Sequence, residues 1–308
     1  MKYRRLGRTD LRVSVVGVGT WQFGGEWGKA FTQAEVDALL ARALELGINL
    51  IDTAECYGDH LSEQLIGQSI RHNRDQWIVA TKFGHRFAGH LERDQLWTAA
   101  AVEKQLEDSL KALQTDYIDL YQFHSGTDES FDQPELWEML GKQVQAGKIR
   151  HLGISISSQG EKIHQTRQAP EVGAGAIQVL YNRLARGPEA NILPACQELD
   201  LGVLARVPLA SGYLSGKYKP GATFTNTTDV RAGHKEAEIL ETLREVEHIQ
   251  QTEVPPGVDM AQWALAWCLQ HPAVTCVIPG CKSVAQVESN AAAADLPLVA
   301  MNHPQALA

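Results

Sequence analysis

Short runs of apolar and β-branched residues alternate along this chain with longer stretches whose apolar positions recur every three or four residues. The short runs read as strands at 15–19, 48–52, 77–82, 117–124, 149–155, 176–179, 203–207 and 275–278. Between them, Val36, Leu39, Leu40 and Ala43 follow a helical period behind a Thr32-x-x-Glu35 capping box. Val102, Leu106, Leu110 and Leu113 form a second stripe, and Trp137, Leu140 and Val144 a third. Strand and helix alternate eight times without a linker or composition break, which predicts an α/β fold: a (β/α)8 TIM barrel filling residues 1–308 as one domain. Segment 6–13, centred on Arg8-Thr9-Asp10, reads as an N-terminal β-hairpin that caps the barrel's lower end. Segment 219–229, rich in Thr, Gly and Asn, reads as a long mobile loop after the seventh strand.

Charge and composition narrow the function. Lys and Arg total 28 against 37 Asp and Glu, a net charge of -9, and the basic residues are scattered. That argues against nucleic acid or an anionic membrane as a partner. The charged start Met1-Lys2-Tyr3-Arg4-Arg5 precedes no apolar signal segment, and no run approaches the roughly 18 apolar residues of a membrane span, so a cytoplasmic protein is expected. Five cysteines, at 56, 196, 268, 276 and 281, include no C-x-x-C pair, so reduced buried thiols and no metal site are expected. The usual nucleotide fingerprints fail: Gln22 stands where a Rossmann turn needs its last glycine, and Gly212 to Lys217 is one residue short of a P-loop, with Tyr218 in place of Ser or Thr. Neither H-E-x-x-H nor H-x-x-E-H occurs.

In a TIM barrel the polar residues at the C-terminal ends of strands face the active site. Asp52, Lys82 and His124 end the second, third and fourth strands, and Tyr57 follows Asp52 by five residues. Each alone has a plain structural reading, as a helix cap, a core histidine or a packing aromatic. On three consecutive strand ends they form a group. Lysine at the end of an apolar strand needs a carboxylate partner, and Asp52 is placed to supply it. The ammonium is then expected to lower the pKa of Tyr57, which donates a proton to a carbonyl oxygen that His124 orients.

The stretch Asp52-Thr53-Ala54-Glu55-Cys56-Tyr57-Gly58, the Ala80-Thr81-Lys82 strand end and the strand closing on His124 resemble the aldo-keto reductase superfamily. The likeness runs through nearly the whole chain and is strongest to the bacterial branch that also includes the voltage-gated potassium channel beta subunits. It implies a barrel without a Rossmann domain, NADP(H) extended across the barrel mouth, and direct hydride transfer between cofactor and a small carbonyl or alcohol. On this resemblance Asp52, Tyr57, Lys82 and His124 are the catalytic tetrad. Gly19, Thr20 and Trp21 lie by the nicotinamide with Asp52, and Ser155 and Gln178 hold its carboxamide. Pro208, Leu209, Ser211, Gly212 and Lys217 clasp the pyrophosphate. Gly280, Lys282, Gln286 and Asn290 contact the adenosine end, where Lys282, beside a helix N-terminus, favours a 2'-phosphate. Ser283-x-x-Gln286 is also a capping box, so Gln286 has a second reading as a helix closure. Two positions depart from the family: Ile156 where Asn often follows the serine, and Arg206 where many members stack a tyrosine on the nicotinamide.

Two rival readings share these residues: a cofactor-binding redox sensor or partner module with little turnover, and a Schiff-base aldolase or lyase acting through Lys82. Substrate choice rests on loops 21–27, 83–89, 125–131 and 219–231, and the oligomeric state is left open.

Overall fold

A computed structural model describes residues 1–157 and 163–307. Eight strands form one parallel sheet: Val18–Gly19, Leu50–Asp52, Ile78–Phe83, Ile118–His124, Ile149–Ser155, Ala174–Leu180, Gly202–Arg206 and Cys276–Val277, each paired with the next. Parallel bridges from Val16 to Val277 and from Gly19 to Gly280 join the last strand to the first and close the barrel. Each strand overlaps its sequence-predicted run, with ends shifted by at most a few residues. Helices Gln33–Glu45, Ala99–Ala112 and Pro134–Gln145 carry the three apolar stripes. Both halves of the Thr32–Glu35 capping box are formed. Among the described residues no helix is long and apolar enough to cross a membrane.

Side-chain alternation along the strands divides the barrel into two layers. Leu50, Ala80, Leu120, Ala176, Leu204 and Cys276 pack together inside the lower barrel, while Ile51, Val79, Tyr121, Ile177 and Val203 belong to the core shared with the helices. Two residues further along the inward-facing positions the side chains become Asp52, Lys82, Gln122, Gln178 and Arg206. A period of two thus sets an apolar plug under a polar floor.

The N-terminal hairpin seals that plug from below, as expected, but its strands are Tyr3–Arg5 and Arg12–Ser14, further out than the 6–13 segment alone. Ala306–Leu307 adds a third strand beside Tyr3. Leu6 and Val13 are fully buried against Leu50, Ala80 and Leu120, each worth about 1.5–3 kcal/mol. Gly7 makes the approach possible. Its φ is +53°, and a Cβ there would lie 1.9 Å from the Gly202 nitrogen.

Segment 219–229 follows the seventh strand as a loop, and its far end is fastened to the barrel rim: Trp27 bridges to Asp229, and the Gly28 amide donates to Thr228 at 3.0 Å.

Candidate active site

Second, third and fourth strands bring the four tetrad positions together. Lys82 is wholly buried, and its Nζ donates to Asp52 Oδ1 at 2.8 Å, to the Thr53 carbonyl at 2.6 Å and to Tyr57 Oη at 3.4 Å. Asp52 Oδ2 accepts from Gln178 Nε2 at 2.6 Å and Gln122 Nε2 at 3.2 Å, so the buried carboxylate has a partner on both oxygens. The Tyr57 ring stacks on Trp21 at 6.1 Å and meets the His124 ring edge-on at 6.3 Å.

Burial is the largest single effect and works against the Lys82 ammonium, but the Asp52 charge and hydrogen bond together with Tyr57 and Glu55 outweigh it and its pKa moves up. The expected effect on Tyr57 is overturned: burial pushes the phenol up to about 12, and the opposing pull of Lys82 is too weak to reverse it. The sequence weighed the neighbouring charge but not the desolvation of a phenolate at a half-closed cleft. Tyr57 is therefore a protonated donor throughout the neutral range. Burial, reinforced by Lys82 and Arg206, holds the His124 imidazole well below its ordinary pKa and hence neutral. A lysine kept charged is also no nucleophile, which removes the footing of the Schiff-base reading.

A cleft of about 680 Å³ opens over these residues. Gly19, Thr20, Trp21, Asp52, Tyr57, His124, Gln178, Arg206, Pro208, Leu209, Ser211, Gly212, Lys217, Gly280, Lys282, Gln286 and Asn290 all line it. Ser155 stands behind the wall, buried, with its hydroxyl donating to Gln178 Oε1 at 3.2 Å. Arg206 reaches the Ile156 carbonyl at 3.4 Å, while its buried Nε has no partner among the described residues. Beyond it the backbone turns through positive φ at Val207, Ala210, Ser211 and Gly212, a conformation that costs on the order of 1–3 kcal/mol at each non-glycine position. Such strain persists where a loop is shaped for a ligand.

At the far end, Lys282 Nζ donates to the Trp27 carbonyl at 2.5 Å and lies 3.9 Å from Asp229. Burial lowers its pKa; Asp229 opposes this, and Arg231, Lys217 and Lys29 lower it further. In this crowd of cations Asp229 pairs with Arg231, and Glu35 pairs with Lys29 at 2.9 Å. Gln286 closes the adjoining helix: its Oε1 accepts from the Lys282 amide at 2.7 Å, and its own amide donates to Ser283 Oγ at 3.3 Å.

Several residues here were not marked in the sequence as site residues. Gln122 shares the Asp52 carboxylate. Arg231 lines the cleft and pairs with Asp229 at 2.7 Å. An antiparallel hairpin, His85–Gly89 with Glu92–Gln95, follows the third strand and carries His85 and Arg93 into the wall beside His124. Arg93 joins Glu26 at 2.5 Å, and Glu26 also accepts from Trp21 Nε1 at 2.6 Å, fixing the indole that faces Tyr57. Residues 85–95 are mostly polar, with only Phe87, Ala88 and Leu91 apolar besides Gly89, so no strand-like alternation marks that hairpin in the sequence.

The family described as Aldo/keto reductase matches residues 15–306 of this sequence. The chain belongs to that family. An uncharacterised oxidoreductase of Bacillus subtilis, YqkF, is 33% identical over 96% of this chain and 92% of its own length. A probable voltage-gated potassium channel subunit beta of Oryza sativa is 30% identical over 96% and 92%, in line with the branch that the motifs resemble. Among solved structures, the holo form of aldo-keto reductase AKR11C1 from Bacillus halodurans superposes with a TM-score of 0.80 at 31% identity, covering 99% of this chain and 94% of that one. An aldo-keto reductase from Klebsiella pneumoniae in complex with NADPH gives 0.70 at 31% identity, covering 96% and 90%. Membership makes the chain an oxidoreductase of barrel fold, in which Asp52, Lys82 and His124 stand at or near strand ends and Tyr57 in the turn after the second strand.

Proposed function

We propose that this chain is an NADPH-dependent carbonyl reductase, one barrel over residues 1–308, that interconverts an aldehyde or ketone and its alcohol. The observation that carries the reading is the buried Lys82 ammonium held between Asp52 at 2.8 Å and Tyr57 at 3.4 Å. The cleft suits the cofactor. It is lined with backbone at the strained turn 207–212, and the cations Lys217, Arg231 and Lys282 gather at the end where a phosphate would be held. NADP(H) bound there supplies the hydride that reduces the carbonyl carbon.

The chain's own residues handle the proton. Tyr57, kept in its acid form by burial, gives its proton to the carbonyl oxygen. Lys82, held by Asp52 at 2.8 Å, stabilises the phenolate left behind, so the new negative charge forms beside a fixed cation. Neutral His124 hydrogen-bonds the same oxygen and aims the carbonyl. In the reverse direction the tyrosinate recovers the proton from an alcohol.

NADPH oxidation followed by absorbance over an aldehyde and ketone panel, with NADH in parallel, tests this. Turnover is expected with NADPH, with a loss of roughly 10²–10⁴ in kcat for Tyr57→Phe while NADPH binding is retained. Tight NADPH binding with no turnover across the panel would instead favour a redox sensor or partner module. A borohydride-trapped adduct on Lys82 would favour the lyase.

A further inference from the structure

The wall of the cleft beside Tyr57 holds a second group of donor atoms. Cys56, His85 and His124 each present one ligand atom within 4.8 Å of the other two. Cys56 Sγ lies 3.9 Å from His124 Nδ1, and the His85 ring stacks on His124 at 4.5 Å and 29°. The thiol is in no disulfide and is buried beside the Arg93 guanidinium, and His85 Nε2 is buried with no hydrogen-bond partner among the described residues. All three residues line the cleft. Behind them the buried Glu55 carboxylate accepts from the His85 amide at 3.0 Å and lies 3.8 Å from His124 Nδ1. Its Oε2 has no partner among the described residues.

One thiol and two imidazoles are the ligand set of a borderline-soft cation and a poor one for magnesium or calcium, which need oxygen. Tetrahedral zinc, with bonds of about 2.0–2.3 Å, sets its ligand atoms about 3.3–3.6 Å apart. Reaching that from separations within 4.8 Å takes side-chain shifts of about an ångström, together with rotation of one imidazole out of its stack on the other so that both in-plane lone pairs meet the metal. We propose that Cys56, His85 and His124 form a site for a thiophilic divalent cation, zinc by its ligand set, with the fourth position open to the cleft. As the metal binds, the Cys56 thiol releases its proton to solvent, its sulfur bonds the metal, and the two imidazoles donate lone pairs; nothing is oxidised or reduced. Glu55, 3.8 Å from His124 Nδ1, is the carboxylate placed behind the imidazole as an outer partner. On the reductase reading, zinc held on His124 with its fourth position toward the cleft takes the space of the carbonyl substrate, so zinc competes with that substrate and leaves cofactor binding in place.

Cobalt titrated into the cofactor-free chain reports the site directly, because a thiolate ligand adds a charge-transfer absorption in the near ultraviolet. One cobalt per chain with that band, displaced by zinc, is expected. Cys56→Ala should lose the band, and Cys56→Ala and His85→Ala should each bind at least about tenfold more weakly. Cys56→Ser and His85→Gln, with NADPH affinity as the check on folding, repeat the test if the alanine variants fail to fold. No cobalt or zinc binding, binding without the thiolate band, or unchanged affinity in the Cys56 variants overturns the proposal. Zinc inhibition relieved by a chelator is expected during carbonyl reduction; binding without inhibition overturns the role of His124 as a ligand. Absence of turnover with every carbonyl would bear on the reductase reading alone, since the cobalt spectrum requires neither carbonyl nor cofactor.

Discussion

The Lys82 ammonium lies 3.4 Å from the Tyr57 hydroxyl, yet it does not bring the phenol into the neutral range. Burial of the ring is the larger effect and pushes it to about 12, with Lys82 opposing. The competent form for reduction is the protonated one, present below that pKa and lost above it. The kcat for reduction should therefore stay flat from neutrality past pH ~10, the ordinary phenol value, and fall only beyond it. A pH profile declining from pH 7 to 8 would show the ammonium to be dominant. Lys82→Met should lower kcat by roughly 10²–10⁴ and cost about 3–5 kcal/mol of stability, because Asp52 is left buried without its cation.

Arg206 presents the opposite case, a guanidinium with no carboxylate partner among the described residues. Burial lowers its pKa, with Tyr57 and Asp52 opposing at a distance, and its Nε is unpaired among the described residues. Arg206→Met should relieve that desolvation and raise Tm by about 2–4 °C in the cofactor-free protein. NADPH should bind about tenfold more weakly, a loss of about 1.4 kcal/mol. Calorimetry and fluorescence titration read the two effects separately, and a fall in Tm would contradict the first.

Lys282 stands among Arg231, Lys217 and Lys29. On the proposed cofactor placement, Lys282→Ala should weaken NADPH binding about tenfold and leave NADH unchanged within about twofold. Equal losses for both cofactors would mean that the residue acts through its bond to the Trp27 carbonyl.

Gly7 holds the hairpin against the barrel floor. Gly7→Ala places a methyl 1.9 Å from the Gly202 nitrogen on a backbone of positive φ. A loss of about 2 kcal/mol or more in urea unfolding is expected, with the kcat of the folded fraction preserved.

Much of the site was legible because a barrel turns strand ends into neighbours. Once the runs ending in Asp52, Lys82 and His124 were placed in consecutive strands, their convergence followed from the parallel register. The hairpin His85–Gly89 with Glu92–Gln95 was missed as an element because it is short, largely polar and outside the barrel period. With it went His85 and Arg93, whose approach to His124 and Glu26 depends on how that hairpin folds back over the cleft.

Taken alone, the sequence determined the eightfold alternation, the strand ends, the helix stripes and the family. These are local or periodic properties, written in spacings of two and of three to four residues. Tertiary structure decided which atoms meet and how far they are from water. Asp52 is shared by Lys82, Gln178 and Gln122; Tyr57 titrates upward; and Cys56, His85 and His124 converge across 68 positions of chain. Desolvation and long-range contact depend on the closed barrel as a whole, and no local pattern encodes them.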